Sequence, residues 1–180
     1  MIKKNIILLT LCCLCIACVR DTEFNQAQDI IWQPVGEVNL VYFNLNIAQF
    51  DTLPQNENFR IVIDTTEIRF LDESFMQDYL KKAEFYIKTT NSFALPIAAN
   101  FTFLSEENEP FYQIDFTIPE GQNNNPVISE HLHIVQGEDI SLFTMNDKLV
   151  TSFVIETQND SLPGSLNLQS KVTFFIEYVQ

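Results

Sequence analysis

From Val38 onward, apolar and polar side chains alternate along the chain with a period of two. In the first such run Val41, Phe43, Leu45 and Ile47 share one face, while Leu40, Tyr42, Asn44 and Asn46 share the other. Successive side chains of a strand point to opposite faces, so the pattern predicts a strand with one buried side. Residues 59–64 and 66–71 predict two shorter strands. Ala83, Phe85, Ile87 and Thr89 alternate with Glu84, Tyr86 and Lys88. The Asn91 to Pro96 segment turns the chain, and Ile97, Ala99, Phe101 and Phe103 line the next strand. Tyr112, Ile114, Phe116 and Ile118 form another, closed by Pro119 and the polar stretch 120–126. Ile128, Leu132 and Ile134 mark the apolar face of a further strand, whose opposite face, with Ser129, His131 and His133, is expected to be wet. Leu149, Phe153 and Ile155 oppose Val150 and Val154. The last strand carries Leu166, Leu168, Val172, Phe174, Ile176 and Tyr178 on one face.

Two interruptions have helical spacing. Asp72 stands where it would cap a short helix with Phe75 and Tyr79, and Met76 and Leu80, four apart; Asp139 starts a second through Ile140, Leu142, Phe143 and Met145. Many short strands with turns at regular spacing predict an all-β fold: an antiparallel two-sheet sandwich of immunoglobulin-like character with two short helical crossings.

The start of the chain has a different character. Lys3 and Lys4 precede an apolar run, Ile6 to Ile16, broken only by Thr10; Ala17 and Cys18 follow, then Arg20, Asp21 and Glu23. This is the form of a secretory signal, too short to span a bilayer. With a small residue directly before Cys18 it resembles a bacterial lipoprotein signal, of the Bacteroidota outer-membrane type. The resemblance implies lipidation at Cys18, although Cys15 stands where that pattern has an apolar residue such as leucine. On this reading residues 1–17 are the signal peptide, 18–33 a lipidated tether and 34–180 a single β-sandwich domain. Val19, where aspartate would signal inner-membrane retention in enteric bacteria, leads to an expectation of an outer-membrane anchor. The side of that membrane on which the body lies stays open.

All four cysteines lie at or before Cys18, so the body contains no disulfide and depends on its core. Removing Lys3 and Lys4 with the signal leaves 8 basic against 24 acidic residues. Such a balance repels nucleic acid and anionic headgroups, so membrane residence is expected from acyl chains rather than a basic patch. With 46% hydrophobic residues and 16 Phe the acidity is not that of a disordered chain. Glycine occurs only at Gly36, Gly121, Gly137 and Gly164, too sparsely for phosphate-cradling loops. The stretch from Ala83 to Phe103, strand, Asn-containing turn and strand, also resembles the late-embryogenesis-abundant type 2 sandwich.

Candidate chemistry is thin. His131 and His133, two apart on a strand, have half the geometry of a metal site, but two ligands are too few for structural zinc and no metal or other cofactor is expected. Glu106, Glu107 and Glu109 read as a solvated turn, since the alternating oxygen ligands and central glycine of a calcium loop are missing. No Gly-x-Ser-x-Gly or Ser-x-x-Lys motif occurs. The chain therefore reads as a non-enzyme. Asp51-Thr52-Leu53, Asp64-Thr65-Thr66 and Asp160-Ser161-Leu162 resemble the short O-glycan acceptor motif of exported Bacteroidota proteins, which implies Thr52, Thr65 and Ser161 as acceptors. Of these, Ser161 stands in a turn marked by Pro163-Gly164.

Strands that place an aromatic on each side, as at Tyr42-Phe43 and Phe85-Tyr86, bury one ring and expose the other. Tyr42 and Tyr86 are thus candidates for a partner surface. The expectation is a lipid-anchored accessory or structural subunit contacting an outer-membrane protein assembly; the alternative is a surface glycan- or ligand-binding module.

Overall fold

The computed structural model describes residues 31–53, 56–71 and 73–179; Cys18 and Asp72 lie outside the described residues. Residues 32–178 form one compact unit. A two-residue strand, β1 (Ile31–Trp32), precedes the first long strand, β2 (Val35–Leu45). A 3-10 turn at Ile47–Gln49 follows, closed by a capping box in which Asn46 and Gln49 bond reciprocally. After β3 (Asp51–Leu53), β4 (Asn56–Glu67) runs unbroken where the sequence predicts two strands, and residues 69–71 form a 3-10 turn. Helix α1 (Ser74–Tyr79) and strand β5 (Leu80–Asn91) come next, then the hairpin β6 (Ile97–Leu104) and β7 (Pro110–Ile118). Strand β8 (Val127–Gln136), helix α2 (Asp139–Phe143), β9 (Lys148–Glu156), β10 (Leu166–Ile176) and β11 (Tyr178–Val179) complete the order.

The strands make two antiparallel sheets, β2-β10-β5-β8 and β3-β4-β9-β6-β7, besides a ribbon of β1 and β11. The two-layer sandwich with two short helices is the architecture expected from the alternating pattern. Its connectivity is that of a jelly roll. Apart from the β6–β7 hairpin, each successive long strand crosses to the other sheet, and the last long strand inserts between the first and β5. Among the described residues no helix is long and apolar enough to cross a membrane.

The core lies between the sheets and is largely aromatic. Phe85 from β5 and Phe103 from β6 meet edge to face at 5.5 Å, and Phe143 of α2 closes on them at 5.4 and 5.2 Å. All three are essentially inaccessible. Edge-to-face geometry sets the positive ring edge against the negative ring face and adds about 1 kcal/mol per pair to burial. Each central strand contributes alternate residues, which is why Ala83, Phe85, Ile87 and Thr89, and Leu149, Phe153 and Ile155, are buried as the pattern requires.

One end of the sandwich is tied by Asn91. Its side-chain amide donates to the Leu95 and Pro119 carbonyls, and its carbonyl oxygen accepts from the Phe93 N–H. Gly121 and Gly164 pass so close to this knot that a Cβ on either would meet backbone, at 1.9 Å from the Asn91 oxygen and 2.9 Å from Phe93.

Candidate functional site

Strand β8 ends its sheet, and its faces are reversed from the sequence reading. Ile128, Leu132 and Ile134 stand 62%, 57% and 44% exposed, whereas Val135 is fully buried. His131 and His133 turn inward, half-buried, and fill the seam between β8 and β7. Their rings stack on each other at 6.4 Å, and His131 stacks on Phe116 at 4.9 Å. His133 packs edge-on against Tyr112, whose hydroxyl lies 2.8 Å from Nε2. Here imidazole acts as an aromatic ring with a polar tip: it packs like phenylalanine and pairs its nitrogen with the phenol. Burial first, then the neighbouring His131, pushes the His133 pKa below its usual value, with Asp139 acting in the opposite direction. Burial likewise raises the Tyr112 phenol. Nε2 of His131 is buried and makes no hydrogen bond to the protein. Among the described residues no group of three or more His, Cys, Asp or Glu side chains is placed to hold a metal ion.

The O-glycan acceptor residues fall at separate places. Thr52 lies in β3, where its hydroxyl accepts from Arg60, and the same guanidinium pairs with Asp160. Thr65 lies within β4, exposed on the sheet. Ser161 sits exposed in the turn before β10, its N–H held by Asn159.

Tyr42 and Tyr86 do come to one surface, the outer face of the four-stranded sheet. Around the two tyrosines that surface is polar, while its β8 edge carries the exposed Ile128, Leu132 and Ile134. Tyr42, 66% exposed, accepts from Asn167, which in turn accepts from Gln169. Lys171 pairs with Glu37 at 2.7 Å and stands over the Tyr86 ring at 5.8 Å. The Glu130 carboxylate accepts the Tyr86 hydroxyl and raises its pKa. The face also carries a β-bulge: between the pairs Gln169–Tyr42 and Lys171–Asn39, Ser170 alone faces Leu40 and Val41. The Ser170 hydroxyl fills the break, accepting from the Val41 N–H at 3.2 Å and donating to its carbonyl at 3.4 Å.

The outer face of the five-stranded sheet is different. Register sets Ile61, Ile63 and Thr65 of β4 beside Val154, Ser152 and Val150 of β9, and these beside Ala98, Asn100 and Thr102 of β6. No ionisable side chain stands in this block, in a chain with 24 acidic residues. Charges ring it instead: Glu67 and Lys148 at one end, Glu156 at the other, and Asp51 and Asp115 on the flanking strands. An uncharged centre with a charged rim is the layout of a protein interface. Sequence reasoning singled out aromatics and so passed over this block. Its signal, a run of uncharged outward residues on three strands, emerges only when the strands are placed side by side.

No protein-family model matches the chain, and no curated protein matches it. Among solved structures, an inferred secreted protein of Parabacteroides distasonis aligns with 64% of this chain and 38% of its own, at 14% identity and a TM-score of 0.47. The enzymatically active domain of tailspike protein 4 of bacteriophage CBA120 aligns over 80% of this chain and 19% of its own, at 11% identity and a TM-score of 0.42. The VP2 subviral particle of infectious bursal disease virus aligns over 80% and 33%, at 8% identity and a TM-score of 0.46. The chain thus spans less than two fifths of the length of each. At these scores neither an activity nor a partner carries over from them.

Proposed function

We propose that this protein is a non-catalytic, lipid-anchored component of the outer membrane that works by contact, docking the five-stranded face onto a membrane-protein assembly. The observation that carries this reading is the uncharged block centred on Ser152 and Val154. Five residues along each of three strands cover about 14 by 17 Å, roughly 240 Å². A stable interface needs about 800 Å² from each partner. The block by itself is therefore the centre of a weak interface, and attachment at Cys18 supplies the effective concentration that such an interface lacks in solution.

The test has two arms. Metabolic labelling with a fatty acid should mark the natural protein and not Cys18→Ala; equal labelling removes the anchor. Gentle detergent extraction, affinity capture and mass spectrometry should recover an integral outer-membrane protein with the natural chain, and lose it with Val154→Glu. Recovery unaffected by Val154→Glu would dismiss the docking face.

A further inference from the structure

Three shallow depressions on the outer face of the four-stranded sheet lie in a row, each sharing lining residues with the next, and together form a shallow trough. The first, of about 360 Å³, lies over the β2 bulge between Tyr42 and Gln169. It shares Asn39, Gln169 and Ser170 with a second, of about 110 Å³, which reaches Tyr86 and Lys88. The second shares Tyr86 and Lys171 with a third, of about 420 Å³, which ends at Leu132 on β8. The trough starts over the bulge, where β2 carries one residue more than β10 and buried Ser170 takes up the Val41 backbone.

We infer that this trough binds an oligosaccharide bearing a carboxylate. Its lining supports that class on three counts. Tyr42 and Tyr86 stand on strands separated by β10, about 10 Å apart by strand spacing, and each presents a ring against which the apolar face of a sugar can lie. Between them Asn39 and Gln169 offer planar amides that donate and accept at once, which suits hydroxyl groups. Lys88 opens onto the middle of the trough and, among the described residues, forms no ion pair, while the other lysine there, Lys171, is held by Glu37. A free ammonium beside amides is a place for a carboxylate, bound by a charge-assisted hydrogen bond. The face is locally neutral, so an anion at Lys88 meets less repulsion here than over the chain as a whole. Lys82, Lys88 and Lys171 offset Glu37, Glu84 and Glu130 on this face, in a chain whose net charge is −14. An acidic peptide would share the attraction to Lys88 but would leave the amides and ring faces poorly used.

The full-length protein in mild detergent is offered uronate-containing oligosaccharides of three or more rings, neutral gluco- and manno-oligosaccharides of the same length, and triglutamate. Saturable retention of a uronate oligosaccharide is expected, weakened about tenfold by Lys88→Gln and by Tyr42→Ala, the loss of about 1.4 kcal/mol of contact. Both side chains are exposed, so thermal melts of the variants should match the natural protein. Val154→Glu, on the opposite sheet, should leave retention unchanged, which separates this site from the docking face. Retention of no uronate oligosaccharide, equal retention by the variants, or binding of triglutamate alone overturns the assignment.

Discussion

The Tyr112 hydroxyl lies 2.8 Å from Nε2 of His133 and joins the outermost strands of the two sheets. With the phenol donating, the imidazole must be neutral. Its pKa is depressed in the fold, chiefly by burial, from an unfolded value of about 6.5. The sign follows from proton uptake: as pH falls, the unfolded chain takes up a proton before the folded one does. The stabilisation is complete above about pH 6.5 and is lost as pH falls through the depressed value. Urea midpoints should be level from about pH 7 to 8 and decline below about 6.5, with a shallower decline in His133→Gln. A decline identical in both proteins would show that the seam does not set it.

Gly164 has φ +132°, and a Cβ there would lie 2.9 Å from the Cα and N of buried Phe93. Gly137 also has positive φ, +66°, yet faces open space. Gly164→Ala is expected to cost about 3 kcal/mol, combining strain and collision, and Gly137→Ala about 1 kcal/mol from backbone strain alone. Equilibrium denaturation of the two variants side by side checks the order.

Ser170→Ala removes the hydroxyl that accepts from the Val41 N–H inside the bulge. The expected cost is about 1 to 2 kcal/mol, the penalty of an unmet buried donor. Faster amide exchange at Val41 than at Phe43 would identify the bulge as the place of the loss.

The reversed faces of β8 have a direct check. Leu132→Gln, on the exposed side, should change stability by less than about 0.5 kcal/mol, whereas Val135→Gln should cost about 3 kcal/mol or more by burying an amide in the core. The opposite order would restore the reading made from alternation.

Alternation locates a strand well where one of its faces is fully buried against the other sheet. β5, β6, β9 and β10 each bury one face against the other sheet, and their Phe, Ile and Leu residues mark that face in the sequence. It failed on β8, an edge strand, because histidine counts as polar in a pattern although Phe116 and Tyr112 give His131 and His133 an aromatic lining. It also split β4 at Asp64-Thr65, which pair with Thr151 and Val150 without interrupting the ladder. The jelly-roll order was not legible, since pairing between the first and last long strands leaves no local trace. For the same reason neither the trough nor the uncharged block is legible in the sequence: one depends on a register shift and the other on three strands lying side by side. Tyr42 and Tyr86 were found as exposed aromatics, but the amides and ion pairs around them belong to other strands.

The place of β10 between β2 and β5 sets an order in time. Among the described residues β2 has no other neighbour in its sheet, so the first long strand to emerge must wait for the last before its backbone is paired. Pairing across nearly the whole domain is slow, in the range of milliseconds to seconds for comparable β topologies. A chain delivered end first through a narrow passage would therefore stay pliable until its final strand is through, and only then lock.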